Sequence, residues 1–434
     1  MDSQDFNLKE FKKLLCASDY SLLKKHDKDI DTVLTIIEKQ RKPLNQKFLF
    51  LSSITNNNKK IYLFSKVRSD NIIDVLAEDL YLRKANQNIK KSFGVKPSDR
   101  LTIIKNVIGI LKEASLKKSD IYLLRTDIKS FFESLNRKKI EKQLYNSALI
   151  SYETKKVISN LFLSDCFNCN VIGIPRGLNI SSTLSEIAMK QFDKSVISNP
   201  DVFYYARFVD DIIIFSTKEI TTKDLISTNN YSLPKELIFN ELKTNYINFQ
   251  KLSKEESFQF LGYKFSFYKQ EQKNKDNLGN CRENNSKQKE SLKLVISISP
   301  KKINKIKSRI IKSFWDFNKN KDYILLKKRI KFLASSYSLA SKRKKIQTED
   351  SKSVLKSGLV YNYQFIDDYT VLKNLDSFLV QVIYSKGKFL RFNSGLNKSQ
   401  CRNLANISFF KNFISCHFEY FSSEDLSMIK RCWG

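Results

Sequence analysis

Histidine is almost missing from this sequence: 434 residues hold only His26 and His417. Imidazole catalysis and histidine-based zinc centres therefore have too few residues to work with. The seven cysteines are an odd number without a repeating spacing, which excludes a disulfide framework. Cys166-Phe167-Asn168-Cys169 is a lone Cys-x-x-Cys, and Cys401, Cys416 and Cys432 stand at spacings from His417 that fit no usual zinc site. No apolar run is long enough to cross a bilayer. The start, Met1-Asp2-Ser3-Gln4-Asp5, is polar and acidic where a secretory leader needs a basic start and an apolar core. The expectation is a soluble, cytoplasmic protein. There is also no internal repeat, no phosphate-loop signature and no histidine-rich nuclease cluster.

Acidic residues are in short supply as well: 45 against 77 basic ones, a net charge of +32. Such an excess repels itself and calls for a polyanionic partner. Nucleic acid is the first candidate and an anionic membrane the second. A lysine-rich surface from biased codon usage would give the same count, since Lys, Asn and Ile are all abundant. The basic residues are spread along the chain with Tyr and Phe between them, which favours a nucleic-acid channel over a membrane-binding helix. The length allows two or three lobes.

What is present is organised around Tyr204-Tyr205-Ala206-Arg207-Phe208-Val209-Asp210-Asp211-Ile212-Ile213-Ile214-Phe215. Aromatic and β-branched runs flank two adjacent acids, the pattern of a tight hairpin with Asp-Asp at its tip. Such a tip is either a solvated turn or a cation site. Upstream, Ile121 to Leu124 reads as a buried strand ending in Asp127, an acid that needs a cation or a donor. A helix carrying Ile140 and Leu144 follows. The loop Val171–Ser182, with Gly173 and Gly177, leads into a helix expected over 183–197 and capped by Ser181 or Ser182. Ile61–Phe64 reads as a strand, Asn71–Leu82 as a helix, and Arg100 to about Ala114 as another, capped by Ser98 or Asp99. Downstream, Leu233-Pro234 is expected to open a helix closing at 239–245. Phe258–Phe265 reads as a strand bent at Gly262, 270–290 as a polar insertion, and Leu292–Ile298 as a strand. Pro300 to about Lys345 carries long basic helices.

Read in order, these segments resemble a reverse transcriptase. Asp127-Ile128-Lys129-Ser130-Phe131-Phe132 resembles the family's first catalytic motif, and Gly173–Ser181 its nucleotide and template loop. Phe208-Val209-Asp210-Asp211 resembles its Tyr-x-Asp-Asp box; Asn240-x-x-Lys243-Thr244 and Phe260-Leu261-Gly262 resemble the two motifs that follow. The resemblance covers about residues 120–265. It implies an α+β right-hand polymerase: N-terminal and fingers region at 1–119, palm at 120–268, insertion at 269–291, thumb helices at 292–345 and a mostly helical extension at 346–434. It implies RNA-directed DNA synthesis with two Mg²⁺ ions, or Mn²⁺ in their place, about 3.5–4 Å apart. Mg²⁺ prefers oxygen ligands, which suits a chain nearly without histidine.

Carried over residue by residue, Asp127, Asp210 and Asp211 are the expected catalytic acids, and with the Ile128 carbonyl the expected metal ligands. Asp211 supports the ions or the hairpin. Phe132 is expected as the gate against a ribose 2′-hydroxyl, or as plain core. Arg176 and Gly177 are expected at the nucleotide, and Lys243 at the pyrophosphate, or as a solvated helix end. Arg100, with Lys66 and Arg68, is a candidate for the triphosphate. The sequence departs from the family at Arg176, where Gln is usual, at Ser182, where Pro is usual, and at Phe208, where Tyr is usual. No endonuclease module, RNase H acids or Asn-Ala-x-x-His signature is present. This points to the bacterial abortive-infection and defence-associated group, and Asn86, Ile89 and Lys90, Pro97-Ser98-Asp99-Arg100 and Gly358–Tyr363 resemble its two-polymerase systems. That group implies dNTPs, a cDNA product, a dedicated noncoding RNA template, and a second reverse transcriptase or another copy of the chain as partner. Alternatives are a template-free or protein-primed nucleotidyltransferase, and a non-catalytic RNA-binding scaffold.

Overall fold

The computed structural model describes residues 3–433 apart from 57–58, 66–67, 69, 97–98, 118–119, 168–171, 228–230, 232, 253–254, 271–290, 339–355 and 385–394. Lys66, Ser98, Cys169 and the polar insertion lie outside the described residues. The chain divides into two compact units, residues 1–99 with 120–248, and residues 100–119 with 249–434. No helix among the described residues is long and apolar enough to cross a membrane.

In the first unit, β1 (Leu51–Asn56) and β2 (Lys59–Phe64) form an antiparallel hairpin. The main sheet has the order β4-β5-β3-β6, from β3 (Tyr122–Asp127), β4 (Val202–Phe208), β5 (Asp211–Ser216) and β6 (Asn245–Asn248), all antiparallel neighbours. Side chains alternate along a strand. Leu124 and Ile128 on one side of β3, with Ile212 and Ile214 of β5, join a core built on the helices Ile72–Phe93, Tyr152–Phe162 and Asn179–Ile197. Leu123, Arg125 and Asp127 therefore fall on the opposite side of β3. Register decides the rest: Asp127 sits directly across from Asp211.

Two expectations need correction here. The helix expected from Pro234 does not form. Lys129 donates its N–H to the Ile238 carbonyl, Ile128 bridges Phe239, and Asn240 donates to the Asp127 carbonyl. The backbone groups a helix would pair internally are thus taken by the end of β3, leaving only a 3₁₀ turn at Glu241–Lys243 before β6. The helix expected at 183 starts at Asn179 without a side-chain cap. Ser181 instead turns its hydroxyl back to the Pro175 carbonyl.

The second unit holds β7 (Glu256–Phe260), β8 (Tyr263–Gln270) and β9 (Ser291–Ile298) in that order, antiparallel. The single bent strand expected at 258–265 is a hairpin, because Leu261 and Gly262 both take positive φ, +46° and +86°, the geometry of a two-residue turn. Since β8 pairs along its length with β9, this sheet runs across the boundary expected at 268/269. The helix Arg100–Lys117 also belongs to this unit. Pro300 opens the amphipathic helix Pro300–Asn320, burying Ile310, Phe314 and Phe317, and Tyr323–Ala334 packs beside it. Trp315 on the same helix is exposed. A small sheet of β10 (Ser336–Ser338), β11 (Lys356–Gly358) and β12 (Phe418–Tyr420) and C-terminal helices complete the unit.

Candidate active site

The acids far apart in sequence converge in the first unit. Val209 takes φ +63° at the hairpin turn, and the Ile128 N–H donates to the Asp210 carbonyl at 3.1 Å, which ties the end of β3 to the turn. Asp127 is buried; its Oδ2 accepts from Lys243 Nζ at 2.7 Å, while its Oδ1 is buried without a hydrogen-bond partner. Burial, followed by the Asp127 charge, pushes the Asp210 carboxyl above its ordinary range, with Arg176 and Lys243 opposing. Asp211 is raised mainly by burial and by Asp210 and Asp127, against Arg125. Asp210 and Asp211 thus sit in one field, to which the Asp127 charge contributes, that disfavours their ionisation.

Two cations offset that field. Arg125 donates to Asp211 Oδ1 at 2.8 Å and to the Lys243 carbonyl at 2.5 Å. Sequence reasoning missed Arg125, yet it stands two residues before Asp127 on a strand, so the period of 2 puts both on one side. Among the described residues, no group of three His, Cys, Asp or Glu side chains is arranged as a ready metal cage. Lys243 and Arg125 hold the oxygens that a cation would use. The orphaned Oδ1 of Asp127, oxygen-only donors and like charges at close range fit a divalent ion in their place.

A second network holds the hairpin from behind. Arg207 is buried and donates to Glu186 Oε2 at 2.6 Å, to Asp193 Oδ2 at 2.7 Å and to the Val209 carbonyl at 3.0 Å. Tyr205 also donates to Asp193, and burial together with that acid raises its hydroxyl pKa. Glu186 and Asp193 both lie on the helix Asn179–Ile197, so this network locks the turn to the helix. The mid-strand Arg207 and the acids at 186 and 193 were available as a signal in the sequence, but their pairing was not.

The glycine loop is strapped to the segment after Asp127. Gly173 and Ile174 donate to the carbonyls of Leu135 and Phe132 at 2.7 and 2.8 Å. Arg176 forms a two-point ion pair with Glu133 at 2.8 and 3.1 Å and lies over the Phe132 ring at 4.9 Å. Phe132 is partly buried against the core and meets Phe131 edge-on. Gly177 has φ +106°, and a methyl there would sit 2.6 Å from the Tyr62 carbonyl, so close packing on β2 already requires glycine. Arg100 opens the helix Arg100–Lys117. It belongs to the second unit, where its guanidinium donates to the carbonyls of Leu261 and Asn362 and stacks between Tyr263 and Tyr363.

Residues 70–265 match the family of reverse transcriptases (RNA-dependent DNA polymerases). The antiparallel sheets and packed helices within that span are the α+β architecture of polymerase fingers and palm. No curated protein matches the chain. Among solved structures, it is similar to an apo telomerase from Candida tropicalis truncated from its C-terminal domain, at 16% identity and a TM-score of 0.35. That similarity covers 49% of this chain and 52% of the telomerase, so the chain spans about half of that protein's length.

Proposed function

On the premise that residues 70–265 carry a reverse transcriptase domain, we propose that this chain is an RNA-directed DNA polymerase. The observation that carries the reading is the cross-strand pairing of Asp127 with Asp211, beside Asp210 and away from the core. Asp127, Asp210 and the Ile128 carbonyl would hold two divalent ions, Mg²⁺ or Mn²⁺. When bound, these ions supply Lewis-acid stabilisation of the attacking and leaving oxygens. Arg125 orients Asp211 and moderates its charge. Arg207 fixes the height of the turn, so that Asp210 is held by the fold and not by its ligand. Lys243, more than half exposed and hydrogen-bonded to Asp127, is placed to swing toward a leaving pyrophosphate as charge partner or proton donor. Phe132, backed by Arg176, would close the sugar side of the nucleotide, with Gly177 beside it.

The +32 net charge supports a nucleic-acid template, and we assign that template to RNA, with dNTPs as substrate and cDNA as product. The setting we propose is bacterial defence against phage with a dedicated noncoding RNA, alone or with a second polymerase chain. Primer extension with purified protein should consume dNTPs on an RNA template, and Asp210→Ala with Asp211→Ala should abolish the product. Undiminished synthesis by that double variant would reject the acid assignment. Sequencing the RNA that co-purifies, and plaque counts with and without the double variant, test the template and the defence role.

A further inference from the structure

The second unit carries an unexplained feature that does not rest on the polymerase reading. A cavity of about 340 Å³ opens among the helices Pro300–Asn320 and Tyr323–Ala334, the turn after β11 and the end of the helix Ser423–Arg431. Its floor is apolar: Phe332 stacks on Tyr337 at 4.6 Å and lies 5.6 Å from Trp433. The Trp433 indole N–H donates to the Arg309 carbonyl and to Ser313 Oγ, both at 3.1 Å, so the ring is fixed. Its rim is cationic, formed by Lys302, Lys305, Arg309 and Lys430.

Among the described residues no acid lines this cavity, and none of the four rim cations has an ion pair. Acids are not scarce nearby. On the same helices, Arg329 meets Asp316 at 2.6 Å and Lys328 meets Asp425 at 2.7 Å, while Lys331 meets Glu419 at 2.7 Å. Three cations of these helices thus find acids, while these four face one space. Lys302 is exposed as a residue, yet desolvation of its ammonium first, then repulsion from Lys305, Arg100, Lys301 and Arg309, holds it below its ordinary range. Such a cluster is stabilised by an anion. Arg309 also lies 5.0 Å over the Trp433 ring, so an anion on its guanidinium is seated against an aromatic wall.

We propose that this cavity binds a nucleotide, its 5′-phosphate on the lysine–arginine rim and its base against the aromatic floor. The volume lies at the small end of ligand sites, a size that suits one nucleotide and not a duplex. Two sources share this chemistry: a free nucleoside 5′-triphosphate and the 5′-terminal nucleotide of a nucleic-acid strand.

The only tryptophans are Trp315 and Trp433, so Trp315→Phe leaves Trp433 as the single reporter at the cavity. Full-length protein is titrated in EDTA, which suppresses metal-dependent nucleotide binding at the acids, with ATP, inorganic tripolyphosphate, and 5′-phosphorylated or 5′-hydroxyl oligonucleotides. Saturable quenching is expected from ATP, from the 5′-phosphorylated strand, or from both, which identifies the source. Tripolyphosphate should bind at least tenfold more weakly for want of a base. Lys302→Gln with Lys305→Gln, at solvent-facing positions, should weaken binding at least tenfold while circular dichroism stays unchanged. Absence of quenching by both ATP and the 5′-phosphorylated strand, equal affinity in the double variant, or equal affinity of the bound source and its own control (tripolyphosphate for ATP, the 5′-hydroxyl strand for the phosphorylated one) would each overturn the assignment.

Discussion

The two units treat charge differently. Around the hairpin of the first unit, every cation that reaches the acids is committed: Arg207 to Glu186 and Asp193, Arg125 to Asp211, Lys243 to Asp127. Around the cavity of the second unit, four cations face open space with no acid beside them among the described residues. Committed pairs hold a geometry, because separating them strands a charge in a poorly solvated place. Uncommitted cations hold nothing in place and respond to whatever anion arrives. The first arrangement suits a site that must position atoms, the second one that must capture a ligand.

The largest effect that tests this contrast is at the acids. Asp210→Asn should reduce dNTP incorporation below detection yet raise the melting temperature, since burial and Asp127 already disfavour the charged Asp210. A fall in melting temperature would mean that the acids stabilise the fold and carry no functional strain. Next comes Arg207→Met, which strands Glu186 and Asp193 and should cost about 3–5 kcal/mol in denaturant unfolding. Arg207→Lys should restore only part, because one ammonium cannot reproduce the fork that meets both acids and the Val209 carbonyl.

Glu78 sharpens the comparison from a position away from the chemistry. It is buried, accepts from the N–H groups of Leu49 and Phe50, and burial raises it from its ordinary 4.5 to about 7. Its folded pKa is above its unfolded one, so the folded state binds the extra proton and stability falls as pH rises from 4.5 to about 7. The loss is about 3 kcal/mol, complete above that window. Glu78→Gln, which keeps an accepting oxygen, should remove this slope, as urea midpoints at pH 5 and pH 8 would show. Glu10 has the opposite sign: hydrogen bonds from Lys13 and Lys84 lower it to about 2, so its contribution is lost on acidification. Smallest is Lys243→Ala, expected to reduce kcat by about 10²-fold with little change in stability, given that the lysine is more than half exposed. An unchanged kcat would leave Lys243 only a surface partner of Asp127.

Much of the site could be read from the chain in order. Alternating aromatic and β-branched residues around Asp210-Asp211 specify strand, turn and strand by their own steric preferences, and the hairpin forms there. The buried run before Asp127 likewise becomes β3. Local reading failed where a neighbour claimed the backbone, as at Pro234–Thr244, whose peptide groups bond to the end of β3. It failed again at Gly262, where two consecutive positive φ values turn one expected strand into two. The partners of Arg100 were likewise illegible: its basic, helix-opening context is local, but the carbonyls of Leu261 and Asn362 that bind it lie far along the chain.

The sequence by itself determined the strands, the hairpin and the identity of the acids, because each depends on contacts within a few residues. Only the tertiary structure decided which strand lies across from Asp127, that Arg125 faces Asp211, and which cations find an acid. Those outcomes follow from register and burial, where a one-residue shift in pairing turns a side chain from the core to the site.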